Sequence, residues 1–304
     1  MRRTVAAWER FWFAEESAST LALLRVAFAA IVLAWALTLL PDVNALFGRT
    51  GVVAGSRAAA AVLGVLLVAA GCLLVGYRSR LAAGAVLACL VWFNHVDPAV
   101  MNAGDQLLRD IGVMLVLAPA GAALSVDAAR RGREGGFWGC PRRGAWPLRL
   151  VQVQLSLMYL ASVAWKLEGA TWRDGTAVSY PLRVPGIARV PSVDALATSL
   201  PLAHVLTWGT LALELSIGVL VWSRRLRPWV LAAGVAFHLS IEATLAPGFF
   251  SWAVLVGYVA FVPPERASRL IAAVEARVPY RKLAAGRRSV RSSSIAAGSS
   301  KTSV

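Results

Sequence analysis

Apolar runs of about 20 residues recur along the chain and constrain its fold more than any other feature. As an α-helix, a run of about 20 residues matches the thickness of the hydrocarbon core of a bilayer. The expected spans lie at about 20–40, 57–77, 81–96, 104–121, 147–166, 202–222, 226–245 and 248–262. The sequence therefore predicts an all-α fold: a polytopic membrane helix bundle of about eight transmembrane helices with short interfacial helices.

The charged residues indicate how this bundle lies in the membrane. The chain is 58% hydrophobic and carries a net charge of +15, yet its arginines cluster in the short loops between alternate runs and in the C-terminal tail. This is the positive-inside pattern of a membrane protein, and it argues against a nucleic-acid partner. It predicts a multi-pass protein of the cell membrane with both termini cytoplasmic, and it places Lys166 and the segment 167–201 on the outer face.

Three regions follow from the same pattern. Residues 1–19 hold Trp8 and Trp12 among charges and predict a cytoplasmic interfacial helix. Residues 20–265 form the transmembrane domain, and residues 266–304 form a basic, partly disordered cytoplasmic tail preceded by a short surface helix at 264–276. The cysteines have no CxxC or Cys/His spacing, so no metal site is expected.

A polar stripe runs along the predicted helix that ends at Lys166. Ser162 and Tyr159 lie four and seven residues before this lysine, and Gln152 falls on nearly the same face. A polar stripe on a membrane helix is costly unless it faces protein or a wet cavity. Only three of the 31 basic residues are lysines, and a lysine, unlike an arginine, can lose its proton near neutral pH. Lys166 is therefore a candidate general base; the alternative is a cation that pairs with Glu168 or Asp174 at the membrane surface.

Two further polar groups are candidates for a site. Asn102 and Asp105 have the spacing of a capping box, and Asp105 and Arg109 have the spacing of partners on a helix, four residues apart. This polar segment either caps the start of a helix or lines an outward-facing cavity. His238 and Glu242 also lie four residues apart, so that Glu242 is expected to orient His238.

Arg25 and two tryptophans each allow two interpretations. Arg25 lies inside the first span, either in an internal ion pair or snorkelling, or in contact with an anion or cofactor. Trp165 and Trp172 flank the Lys166 region, where they either belong to an interfacial belt or wall a flat ring system.

Five sequence blocks together resemble one family. They are STLALLRVAFAAIVLAWALTLLPD from 19, NAGDQLLRD from 102, WKLEGATWRDGTAVSY from 165, LTWGTLALELSIG from 206 and FHLSIEATLAPGFFSWAVLVGYVAFVPPE from 237. Over about residues 15–265 the chain resembles the HTTM (horizontally transferred transmembrane domain) family, which is related to the membrane domain of vitamin K-dependent γ-carboxylase.

The resemblance implies a site and a cofactor. Lys166 falls on the lysine that is held to deprotonate vitamin K hydroquinone in the carboxylase, and His238 falls on the histidine of its FH pair. These two residues are the expected catalytic residues, and menaquinone or another isoprenoid quinol is the expected cofactor. The expected cofactor-binding residues are Asn102, Asp105, Trp172, Gly175 and Glu242.

The chain also departs from the carboxylase. Ala103 follows Asn102 where the carboxylase has a histidine, and a basic tail stands in place of its large lumenal domain, so full carboxylation of a protein substrate is not expected. Three functions remain open. The first is a quinol-dependent carboxylase-like or oxidoreductase-like enzyme with an outward-facing site. The second is a non-catalytic membrane factor for maturation or export of a secreted peptide, a role to which some bacterial relatives are linked. The third is a transporter with Glu214, Glu242 and His238 as a proton relay, although no inverted repeat supports it.

Overall fold

Long apolar helices make up the body of the protein. A computed structural model describes residues 2–47, 56–96, 102–132, 135–184, 186–189 and 198–278. The helices are α1 (Arg2–Phe13), α2 (Ser19–Leu39), α3 (Val43–Phe47), α4 (Ser56–Val75), α5 (Ser79–Val96), α6 (Ala103–Leu117), α7 (Val126–Arg130), α8 (Trp146–Glu168), α9 (Ala170–Arg173), α10 (Leu200–Leu220), α11 (Arg227–Thr244), α12 (Phe250–Tyr258) and α13 (Pro264–Arg277). Single 3-10 turns lie at Gly136–Trp138, Ala177–Ser179, Pro181–Arg183 and Val259–Phe261.

Five helices are long and apolar enough to cross a membrane. They are Ser19–Leu39, Ala58–Val75, Ser79–Val96, Trp146–Glu168 and Leu200–Leu220. Each of the other three predicted spans also contains a helix, namely α6, α11 and α12, but these are shorter or more polar. The chain is therefore an all-α membrane protein that crosses the bilayer several times.

A two-stranded ribbon interrupts the helical architecture. Strand β1 (Glu15–Ser17) pairs antiparallel with β2 (Arg142–Gly144), and Glu16 lies opposite Arg143. The sequence does not reveal these two strands, because three-residue strands are too short to give a periodic pattern. The ribbon ties the segment after α1 to the start of α8.

Helices α2 and α8 each contact several other helices. Helix α2 packs against α4, α12 and α13, while α8 packs against α10 and α6. Phe28 and Val32 of α2 are completely buried in the core. Gly218 of α10 lies against α8, where a Cβ atom would come within 2.9 Å of Leu160, so the missing side chain lets these two helices approach closely.

Arg25 of α2 fixes the loop that follows α6. Its side chain is fully buried, and its guanidinium donates to the carbonyls of Ala120 (3.0 Å), Ala123 (3.3 Å) and Leu124. The predicted ion pair or snorkelling was wrong, since these partners are neutral backbone groups and the side chain has no exposed surface, whereas a contact of Arg25 with an anion or cofactor stays a prediction. A buried charge with such partners has a structural role.

The C-terminal region begins as predicted. The helix expected at 264–276 is observed as α13, which packs against α2 and β1. The rest of the expected disordered tail, from residue 279 onward, lies outside the described residues.

Candidate functional site

Lys166 pairs with a glutamate of the neighbouring helix. Its Nζ forms an ion pair with Oε1 of Glu214 on α10, and the hydroxyl of Ser162 donates to the other oxygen of that carboxylate at 3.1 Å. The expected partners were wrong: Asp174 accepts from the hydroxyl of Thr176 at 2.6 Å, and Glu168 is exposed. The side chain of Lys166 keeps 23% of its surface exposed, whereas Glu214 keeps 8%. The carboxylate is therefore deep and the amine lies at the edge of the site.

An aromatic ring completes the surroundings of this amine. The Nζ of Lys166 lies 4.8 Å from the ring centroid of Trp172, within the range of a cation–π interaction. Trp172 reaches this position because the short helix α9 follows directly after α8. Trp172 therefore borders the Lys166 amine, and its predicted contact with a flat ring system stays a prediction.

Gly175 holds the loop after α9 against α10. Its φ angle is +83°, and a Cβ atom there would come within 2.7 Å of His204 and 2.9 Å of Trp208. These two rings stack with centroids 4.9 Å apart. Gly175 therefore has a structural reason to be glycine: it brings the Trp172 loop close to the helix that carries Glu214.

A buried hydrogen-bonded cluster lies one to two turns deeper along α8. The hydroxyl of Tyr159 contacts Nε2 of His238 at 2.8 Å and the hydroxyl of Tyr258 at 2.6 Å. All three side chains are buried, and Nδ1 of His238 has no hydrogen-bond partner among the described residues. The rings of Phe237 and Phe250 lie 5.3 and 5.7 Å from the imidazole. In this apolar, aromatic setting, Nε2 of the imidazole is hydrogen-bonded and Nδ1 has no partner among the described residues.

Sequence reasoning missed Tyr258, although a signal for it exists. Gly234 lies one turn before His238 on α11, and a Cβ atom at 234 would fall 2.4 Å from the Tyr258 hydroxyl. A glycine one turn before a histidine marks a place where another side chain can approach the helix. The lone tyrosine in the apolar helix α12 is the side chain that does so.

The ion pair of Lys166 and Glu214 lies next to the cluster of Tyr159, His238 and Tyr258. Among the described residues no hydrogen bond joins the ion pair to the cluster. Tyr159 and Lys166 lie on one face of α8, separated by about 10 Å along the axis. The positive charge of Lys166 acts on His238, and the negative charge of Glu214 acts on Tyr159 and Tyr258. The predicted polar stripe is therefore inward-facing and carries both groups.

Glu242 does not serve His238. It accepts from Arg189 at 2.8 Å, and the same guanidinium donates through Nε to the carbonyl of Leu245 at 2.6 Å. The predicted orientation of His238 by Glu242 was wrong, because spacing by four residues permits a contact but does not require one when a cation is available. Glu242 instead attaches the segment around Arg189 to the end of α11.

Asn102 and Asp105 form the predicted capping box. The Asn102 side chain accepts from the Gly104 amide at 2.7 Å, and Asp105 accepts from the Asn102 amide at 2.7 Å. Arg109 donates to Asn94 and Gln106 and not to Asp105, so the predicted partners Asp105 and Arg109 interact through their charges without a hydrogen bond.

The capped start of α6 lies next to the turn that precedes α12. The side-chain nitrogen Nδ2 of Asn102 is 3.5 Å from the carbonyl oxygen of Pro247. A Cβ atom at Gly104 would come within 2.8 Å of the Phe250 Cα. Phe250 in turn flanks His238. Asn102 and Asp105 thus support one wall of the histidine cluster, and their contact with a cofactor remains a prediction.

Comparison with known families assigns the domain that carries both clusters. The family model described as HTTM domain matches residues 52–265, which is most of the chain and includes Lys166, Glu214 and His238. Comparisons with the curated proteins and with the solved structures found no match. The apolar helices and this match agree, and the chain is an integral membrane protein that belongs to the HTTM family.

Proposed function

We propose that the protein is a quinol-dependent enzyme of the carboxylase or oxidoreductase type, with Lys166 as its general base. The observation that carries the proposal is the ion pair of Lys166 and Glu214 beside the ring of Trp172. A general base that acts on an apolar aromatic substrate must place its proton-accepting atom beside the aromatic wall that binds the substrate. The resemblance to the γ-carboxylase membrane domain supports the same role for this lysine.

The pair offers a way to obtain a neutral amine. Transfer of one proton from the Lys166 ammonium to Oε1 of Glu214 leaves a neutral amine and a neutral carboxylic acid. The amine then accepts a proton from a substrate hydroxyl, and its own charge is restored. Ser162 keeps the carboxyl group in position through its second oxygen. Arginine is not suited to this role, because its guanidinium stays protonated near neutral pH.

The residues around His238 fit an isoprenoid quinol such as menaquinone. Buried polar atoms almost always have a partner, and Nδ1 of His238 has none among the described residues. A quinol oxygen matches this need, and the rings of Phe237 and Phe250 match a flat ring system. When bound, a quinol supplies an acidic hydroxyl and a two-electron redox couple. His238 would hold one oxygen of it, and Tyr159 and Tyr258 keep the imidazole in place.

The proposal includes an orientation in the cell membrane. It has eight spans and three regions, 1–19, 20–265 and 266–304, with both termini cytoplasmic and the Lys166 end of α8 outside. Support comes from the two ends of α8: Arg149 lies near its start, among arginines, and Lys166 is 17 residues later, about 26 Å away along the helix.

Reporter fusions test this topology. Fusions after Arg80, Gly136, Arg225 and Gly298 are expected to report the cytoplasm, and fusions near Gly51 and Pro191 the outside. An external signal at Gly136 or Arg225 would contradict the orientation.

The base role is tested by Lys166→Arg. The variant keeps the ion pair and the cation–π contact but not the ability to lose a proton, so we expect normal insertion and melting with a loss of activity of at least about 100-fold. Activity is measured as oxidation of menaquinol to the quinone by the purified protein in nanodiscs, with dissolved oxygen added as the two-electron acceptor, and protein level and melting temperature are recorded alongside. Full activity in Lys166→Arg would contradict the base role. Glu168→Gln is the matched control and should have a milder effect.

Ligand binding is tested separately from turnover. A quinone analogue at about 100 times its Kd should stabilise the protein by about 2.7 kcal/mol. His238→Ala should remove this stabilisation, whereas Lys166→Arg should keep most of it. No stabilisation by several quinones at saturation would contradict the cofactor assignment and favour the non-catalytic maturation factor.

A further inference from the structure

A cavity of about 570 Å³ lies at the end of the bundle opposite Lys166, and the proposed function makes no use of it. It is bounded by the starts of α8, α11 and α13 and by the segment that joins α12 to α13. Its volume is within the range of about 300–1,000 Å³ that small-ligand sites occupy.

The charged lining of the cavity is unbalanced. Four arginines line it, Arg149, Arg224, Arg227 and Arg266, against the two glutamates Glu16 and Glu265. The guanidinium of Arg227 experiences the positive charges of both Arg149 and Arg224, which the single negative charge of Glu16 opposes. Like charges that converge on one cavity repel each other, and an anion between them removes the repulsion.

The four arginines differ in the hydrogen bonds and ion pairs that their side chains make within the protein. Arg149 pairs with Glu16 and donates to Gln152 at 3.0 Å, and Arg227 donates to the carbonyl of Val221 at 2.8 Å. Arg224 and Arg266 are exposed, and within the described part of the chain their side chains make no hydrogen bond or ion pair. Two guanidinium groups therefore remain free for a ligand, while the other two are held in place by the fold.

Helix geometry adds to the positive potential. Helices α11 and α13 begin at Arg227 and Pro264, both of which line the cavity, and the start of a helix carries about half a positive charge. These helix starts act together with the arginines and are not the basis of the site on their own.

The other walls are apolar, since Leu148, Leu231 and Phe261 line the cavity. Trp229, beside the lining residue Pro228, keeps 75% of its surface exposed, as expected for a tryptophan in the belt at a membrane–water interface. From this tryptophan we infer that the cavity, with its cationic mouth and apolar wall, lies at the depth of lipid headgroups.

We propose that this cavity binds a phosphate group, carried by an anionic phospholipid headgroup or by a water-soluble phosphate. Planar guanidinium groups bind phosphate oxygens in pairs, which suits the free Arg224 and Arg266. The membrane depth and the apolar wall favour the lipid, whose first acyl carbons would contact Leu231 and Phe261. The site lies about 26 Å along α8 from Lys166, so it does not depend on the proposed function.

The test uses the full-length protein in detergent and three probes: short-chain phosphatidylglycerol, short-chain phosphatidylcholine and inorganic phosphate. Binding is followed by native mass spectrometry and by the melting temperature. We expect the wild type to bind phosphatidylglycerol in preference to phosphatidylcholine. Arg224→Gln should weaken phosphatidylglycerol binding about tenfold, and Arg224→Lys should weaken it less, because a lysine keeps the charge but not the paired geometry.

Arg225→Gln is the matched control. Arg225 is also an exposed arginine and is the next residue along the chain, but it does not line the cavity. We expect this variant to bind phosphatidylglycerol as the wild type does. An equal loss in Arg225→Gln and Arg224→Gln would overturn the proposal, because it would indicate a diffuse charge effect.

The three probes separate the two sources of phosphate. Displacement of phosphatidylglycerol by inorganic phosphate, lost in Arg224→Gln, would support the phosphate site and identify the soluble anion as a sufficient ligand. Equal binding of both lipids with no effect of Arg224→Gln would overturn it. If Arg224→Gln fails to fold, Arg266→Gln carries the same expectation, since Arg266 is exposed and lines the same cavity.

Discussion

Arg25 and Lys166 are both cations within membrane helices, but they differ in burial and in the kind of partner they contact. Arg25 has no exposed surface and donates to the backbone carbonyls of Ala120, Ala123 and Leu124. Lys166 is partly exposed at the end of α8 and faces one carboxylate and one indole ring. The carbonyl partners of Arg25 cannot take up a proton, whereas Glu214 can.

The difference shows that the partners of a buried cation determine what it can do. A guanidinium surrounded by backbone oxygens holds two segments together and keeps its charge. An amine paired with a single carboxylate at the edge of the protein can exchange its proton and still be reached by a ligand. Position within a span, which is all that the sequence shows, does not distinguish the two cases.

The largest effect is expected from Arg25→Met. The change leaves three buried carbonyls without their donor, and each unsatisfied group costs about 1–3 kcal/mol, so the protein should lose about 3 kcal/mol or more. The measurement is the melting temperature in detergent together with the amount of protein in the membrane. Arg25→Lys is the control and should lose less, because it keeps one donor to this loop. A melting temperature equal to that of the wild type would show that the carbonyl contacts do not stabilise the fold.

The next effect concerns the partner of Lys166. Glu214→Gln removes the negative charge that both Lys166 and Ser162 contact, and we expect a loss of about 2 kcal/mol, the usual contribution of a hydrogen bond to a charged group. Glu168→Gln changes an exposed carboxylate near the same lysine and should stay within about 0.5 kcal/mol of the wild type. Melting temperatures of the two variants decide the matter, and similar losses would mean that Glu214 is not the specific partner.

The buried tyrosines can be tested with a pair of substitutions. Gly234→Ala places a Cβ atom 2.4 Å from the Tyr258 hydroxyl, and overpacking of this kind costs about 1–3 kcal/mol. Tyr258→Phe removes that hydroxyl and its hydrogen bond with Tyr159, at a cost of about 1 kcal/mol. In the double variant the clash is relieved, so Gly234→Ala should cost less than it does alone. Strictly additive losses would contradict the close approach of the two helices.

Local features of the fold could be predicted from the sequence. The helices follow from the apolar runs, and the capping box of Asn102 and Asp105 follows from spacing within four residues. The inward position of Ser162 and Tyr159 follows from the same helical period that places Lys166 on their face.

Partners on different helices could not be predicted. Lys166 and Glu214 belong to α8 and α10, and periodicity does not reveal which membrane helices are neighbours. For the same reason the sequence did not predict that Tyr258 joins the histidine cluster. It also led to the wrong pairing of His238 with Glu242, because spacing in the sequence indicates only partners on the same helix. The family resemblance brought Lys166, Trp172 and Gly175 together, yet it did not name the carboxylate that Lys166 contacts.

The smallest effect lies on the Arg25 side, at Asp127 of α7. This carboxylate accepts from the backbone amides of Arg78 and Ser79 at 2.8 Å each and thereby caps the start of α5. It also interacts electrostatically with Arg25. Burial raises the pKa of Asp127, but the hydrogen bonds from Ser79 and Arg78 and the charge of Arg131 outweigh it, so the net pKa is lowered from 3.8.

The sign of the pH dependence follows from this lowered pKa. The unfolded protein binds the proton more tightly, so the stabilisation is complete above pH 3.8 and is lost as the pH falls through the folded pKa. Asp127→Asn should cost about 1 kcal/mol at neutral pH, as loss of a helix cap does, and the difference from the wild type should shrink in acid. Melting temperatures of both proteins from neutral pH to below the pKa give the test. A difference that stays constant across this range would show that the capping carboxylate does not act through its charge.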